Sequence, residues 1–120
     1  MAHRILFVAV LLFAWSNLAL AATVSSKELD SLQKNLRLAC VESGGNGTTK
    51  AVCECSAKNY RLVLSGERSE VAQRESRWIE RLYYKILTQD EYQKDEFALV
   101  ELINLIHTSC IKNSNFTLSN

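Results

Sequence analysis

Four cysteines, Cys40, Cys53, Cys55 and Cys110, constrain this chain more than any other feature. Three of them lie in one stretch, CVESGGNGTTKAVCECSAKNY, around a glycine-rich turn. Residues two apart on a helix point about 200° from each other. Cys53 and Cys55 therefore face different neighbours, and a bond between them would need a strained loop. Each has to reach a separate helix. Cys40 stands about one turn before Gly44 and Gly45, and Cys53 about one turn into the next helix, so their heights match across an antiparallel hairpin. The preferred pairing is Cys40–Cys53 with Cys55–Cys110. The swapped pairing, Cys40–Cys55 with Cys53–Cys110, is close behind.

Whether these sulfurs join depends on the compartment. The chain begins MAHRILFVAVLLFAWSNLALAATVSS. His3 and Arg4 are basic, Ile5 to Phe13 is an unbroken apolar run, and Ala19-Leu20-Ala21 matches a small-residue cleavage site. This layout is that of a secretory signal peptide over residues 1–21, cut after 21 or 22. An uncleaved anchor is the competing reading; the apolar stretch is near the lower limit for spanning a bilayer. Export, periplasmic or secreted, puts the thiols where disulfides form and persist. A Cys₃His zinc site built from Cys53, Cys55, His107 and Cys110 is chemically sensible. The oxidising compartment and the spacing favour two disulfides instead. C-x-C is also not the C-x-x-C of thioredoxin-like catalysts. No metal and no cofactor is expected.

The remainder, residues 22–112, reads as a single helical domain followed by a flexible tail over 113–120. There is no proline, and three of the four glycines sit in GGNG, which argues against disorder and against a turn-rich sandwich. Ser25 and Glu28 form a capping box for a first helix, with Leu29, Leu32, Leu36, Ala39 and Cys40 on one face. Thr48 or Thr49 caps a second helix, KAVCECSAKNYRLVLSG. A third, ERSEVAQRESRWIERLYYKILTQ, buries Val71, Ile79, Leu82, Tyr83 and Ile86. A second capping box, Thr88 with Glu91, opens the last region. There Phe97, Leu99, Val100, Leu102, Ile103, Ile106 and Cys110 make the most apolar helix, expected at the centre. The fold class is all-α: a small four- to five-helix antiparallel bundle stapled by two disulfides. A domain of this size has a thin core and is expected to need such staples.

Signals for catalysis are sparse. There is no G-x-S-x-G, no H-E-x-x-H and no phosphate loop. His107 is the lone histidine once the signal has gone, and is expected as a hydrogen-bonded core or rim residue. Asp90, Glu91, Asp95 and Glu96 read as helix-start charges. Asn46 and Asn115 fit glycosylation sequons, which matter in a eukaryotic host. The chain carries 14 Lys+Arg against 13 Asp+Glu, and Arg4 leaves with the signal. A neutral chain is a poor nucleic-acid binder. One surface stands out on the third helix: Arg74, Arg77, Trp78, Arg81, Tyr84 and Lys85 combine residue types that dominate binding hot spots. The competing reading is a solvated face balanced by Glu70, Glu75 and Glu80, with Trp78 in the core; the exposure of Trp78 decides between them.

The plan of an exported, doubly crosslinked helical bundle resembles that of periplasmic immunity proteins that neutralise cell-wall-attacking toxins. The resemblance is architectural and no motif carries it. It implies a non-enzymatic binding module, an inhibitor or immunity factor, whose partner is another protein of the cell envelope. No stable membrane insertion is expected after cleavage, and a homo-oligomer is compatible. The alternatives are a small-ligand carrier, a metal- or thiol-handling protein, and a secreted effector.

Overall fold

The computed structural model describes residues 23–44, 48–84 and 97–119. The expected signal peptide, Asn46, Lys85, Ile86, the expected Thr88–Glu91 capping box and Asp90, Asp95 and Glu96 lie outside the described residues. Four helices make up the described fold: α1 Ser26–Ser43, α2 Lys50–Leu64, α3 Ser69–Tyr83 and α4 Phe97–Lys112. Among the described residues there is no strand, only an isolated bridge of Thr23 with Arg68, beside which the Val24 N–H donates to the Glu67 carbonyl at 3.0 Å.

Local chemistry sets the helix ends. The Ser25 hydroxyl accepts the Glu28 N–H at 3.1 Å. The Glu28 carboxylate does more than close a box. It accepts from the Ser69 hydroxyl at 2.7 Å and from the Gln73 amide, locking the starts of α1 and α3 together. The bond from Ser69, then that from Gln73, holds Glu28 below its ordinary value, with the Ser25 backbone a lesser contributor. α1 stops where Gly44 turns left-handed, at φ 44° and ψ 69°. Glycine has no Cβ to oppose that conformation. Thr49 caps α2 by accepting the Val52 N–H at 3.2 Å.

α1 and α2 form an antiparallel hairpin. Cys40 near the end of α1 bonds to Cys53 at the start of α2, and Arg61 near the end of α2 reaches Asp30, Gln33 and Ser26 at the start of α1. α4 runs antiparallel to α2, with Cys110 bonded to Cys55. α3 lies parallel to α1: Glu28 meets Ser69 at one end and Glu42 meets Tyr84 at the other.

The most apolar helix is not the central one. α2 touches each of the other three helices, while α4 packs chiefly on α2. The reason is side-chain size. α2 buries Cys53, Cys55, Ser56, Ala57 and Asn59, small groups that admit neighbours on several sides. α4 leaves Leu105 and Ile111 exposed. α3 also presents a slightly rotated face, burying Ala72, Ser76, Trp78 and Ile79, with Val71, Leu82 and Tyr83 at the margin. The core joins Leu29, Leu36, Val52, Tyr60, Leu64, Trp78, Ile79, Ile103 and Ile106.

The end of the chain corrects a second expectation. Residues 113–119 do not fray. Phe116 and Leu118 pack against the core, and Asn59 of α2 hydrogen-bonds the backbone of both. A buried asparagine supplies the donors and acceptor that hold an otherwise polar tail.

Candidate functional site

The sequence-predicted binding residues divide on the structure. Arg74 and Arg77 stand exposed on the outer face of α3, one turn apart. Neither takes part in an ion pair; Arg61–Asp30 is the ion pair found among the described residues. Arg81 lies two turns beyond Arg74 on the same face, half-buried and with a partner of its own. Tyr84, 43% exposed, ends the row and donates to the Glu42 carboxylate at 2.6 Å. That bond keeps the phenol protonated above its ordinary value, chiefly because the neutral phenol is the form that donates. Lys85 lies outside the described residues.

Trp78 is not on this surface. It is 7% exposed and belongs to the core. The expectation of a tryptophan anchor is therefore corrected. Its apolar area is taken by the fold, and what α3 shows to solvent is Arg74 and Arg77 beside Glu70 and Gln73, with half-buried Arg81 and then Tyr84 continuing the arginine row. Glu70 is exposed, whereas Glu75 and Glu80 are half-buried at the flanks.

A second polar cluster lies inside, between α2, α3 and α4. The Tyr60 and Tyr83 hydroxyls are 2.6 Å apart. The Tyr83 hydroxyl is 3.2 Å from His107 Nδ1, and the Ser56 hydroxyl 3.5 Å from the same nitrogen. Both phenols meet at an edge, as do Tyr83 and the imidazole. Burial pushes both tyrosines above their ordinary value and His107 below its own. A neutral ring with its proton on Nε2 leaves Nδ1 to accept from Tyr83. Sequence reasoning placed His107 at the core or rim, but missed Tyr83 and Ser56 as its partners and Tyr60 as the partner of Tyr83. Helical spacing alone does not tell which polar groups of separate helices meet.

This cluster has little reach as a catalyst. Ser56 is 0% exposed, so no substrate carbonyl can approach its hydroxyl, and no carboxylate orients the imidazole among the described residues. No buried side-chain polar atom among the described residues lacks a partner. The chemistry is that of a satisfied polar core.

Comparison with protein-family models, with curated proteins and with solved structures finds no match.

All four cysteines are bonded, as Cys40–Cys53 and Cys55–Cys110. No thiolate among Cys53, Cys55 and Cys110 is left to join His107 around a metal. An open cleft of about 290 Å³ runs between α1 and α2, lined by Asp30, Gln33, Lys34, Arg37, Glu54 and Lys58. Its walls are charged and solvated, unlike the mostly apolar lining of a small-molecule pocket. No helix among the described residues is long and apolar enough to cross a membrane.

Proposed function

We propose that this chain is an exported, non-enzymatic protein-binding module of the bacterial periplasm, acting as an inhibitor or immunity factor. Its contact face is the outer side of α3, Arg74, Arg77 and Arg81 with Tyr84, and its partner presents carboxylates there. The observation that carries this reading is that Arg74 and Arg77 stand in solvent on one face, outside any ion pair. Guanidinium groups pair carboxylates two bonds at a time and form strong, directed contacts in an interface. The helix that bears them is anchored at both ends, by Glu28 to Ser69 and Gln73 and by Tyr84 to Glu42. A face organised before contact loses less entropy on binding.

The test is capture from the native envelope. Wild type and the pair Arg74→Glu with Arg77→Glu are immobilised at equal folded amounts, and bound proteins are identified by mass spectrometry. Reversing two charges in a complementary interface is expected to slow association and to lower recovery of an acidic partner at least tenfold. Rising salt should weaken wild-type capture in the same direction. Equal recovery by wild type and variant would rule this face out.

A further inference from the structure

The segment after α4 is built against one disulfide. The Asn113 N–H donates to the Ser109 carbonyl at 2.9 Å, and the Phe116 N–H to the Asn113 carbonyl at 2.9 Å, so the chain reverses at residues 113–116. It then meets Asn59, which is buried on α2. Asn59 Oδ1 accepts the Leu118 N–H at 2.7 Å, and Nδ2 donates to the Phe116 carbonyl at 3.0 Å and to the Cys55 carbonyl at 2.8 Å. A carbonyl and an N–H two residues apart in the tail are thus paired by one side-chain amide, as a neighbouring strand would pair them.

Beneath this pairing lies the Cys55–Cys110 bridge. The Phe116 carbonyl oxygen is 3.5 Å from Cys55 Sγ, and the Asn113 oxygen 3.9 Å. Asn59 Nδ2 is 3.8 Å from Cys55 Sγ and 3.7 Å from Cys110 Sγ. Cys55 is 4% exposed and Cys110 is fully buried. The tail's own backbone thus packs directly against Cys55 Sγ.

We propose that residues 113–119 are a strap that guards the Cys55–Cys110 disulfide against dithiol reductants, with Asn59 as its latch. Reduction needs a thiolate of the dithiol to attack a bridge sulfur. Cys55 Sγ is the sulfur under the strap. Attack there forms a mixed disulfide, and the electron pair of the broken S–S bond leaves on Cys110. The second thiolate of the dithiol then displaces Cys55 and closes a cyclic disulfide. Two electrons pass from the dithiol to the two cysteines. The first step waits on the strap opening. Cys40–Cys53 lies between α1 and α2, both cysteines fully buried by the helices themselves and not by the tail, and serves as the internal reference.

The test measures both bridges in the same folded, full-length sample. Wild type, Asn59→Ala and Leu118→Pro are exposed to dithiothreitol, free thiols are alkylated at intervals, and each cysteine is quantified by mass spectrometry. Leu118→Pro removes the N–H that Asn59 accepts and leaves α2 untouched, so it decides the matter even where Asn59→Ala weakens the whole fold. Wild type sets the baseline ratio of the Cys55–Cys110 rate to the Cys40–Cys53 rate. In Leu118→Pro the Cys55–Cys110 rate should rise at least tenfold relative to Cys40–Cys53, the effect on a local opening of losing one latch bond together with the packing of Leu118. A ratio that stays at the wild-type value in Leu118→Pro overturns the proposal.

Discussion

His107 shows how a single residue couples this core to its surroundings. Its ring is faced by Tyr83 from α3 and by Ser56 from α2, with Tyr60 behind Tyr83, all uncharged at neutral pH. Loss of water around the ring pushes it below its usual 6.5. The unfolded chain therefore binds this proton more readily than the folded one. Stability is complete above the unfolded value, falls as pH drops through about 6.5, and levels off below the lowered folded value. Thermal melts between about pH 5 and 7, above the ordinary carboxylate range, are expected to show a declining midpoint in wild type and a flatter profile in His107→Gln. Identical profiles would contradict the role given to burial. At this scale the sequence was only partly legible. Trp78 reads as a binding residue by type, yet it is spent on the core. Asn59 reads as an unremarkable polar position in a helix, because its partners lie 57 and 59 residues away. No local pattern announces a contact of that range.

The elements were more legible than the side chains that join them. Ser25, Thr49 and Gly44 announce helix ends through chemistry confined to a few neighbouring residues, and they act as such. Which helix lies at the centre was not legible from hydropathy. α4 is the most apolar, but α2 takes the centre because small groups let three helices approach it. Two cysteines that must face two different helices were the available clue. Gly44 gives a test of the element scale. A Cβ added there meets nothing closer than 3.9 Å, so the cost of Gly44→Ala comes from its left-handed backbone and not from crowding. The expected loss is about 1 kcal/mol, seen as a lower urea midpoint with unchanged slope. An unshifted midpoint would mean that α1 ends without needing that conformation.

For the molecule as a whole, the covalent framework decides what the chain can do. Cys40–Cys53 closes 13 residues and Cys55–Cys110 closes 55. In the chain-entropy account these closures contribute about 3 and about 4 kcal/mol. That is comparable to the whole net stability of many small domains, about 5–15 kcal/mol. The two bridges tie the centrally placed α2 to a helix on either side, leaving α3 to be held by Glu28, by Tyr84 and by the core. The arginines of α3 are thus joined to the crosslinked helices by non-covalent contacts, the Glu28 and Tyr84 hydrogen bonds among them. The most direct test of this account maps the bridges in protein taken from its native host. Trypsin leaves Cys53 and Cys55 on one peptide, but glutamyl endopeptidase can cut between them at Glu54. Mass spectrometry without reduction should find Cys40 joined to Cys53, Cys55 joined to Cys110, and no free thiol. Cys40 joined to Cys55, or four free thiols, would contradict it.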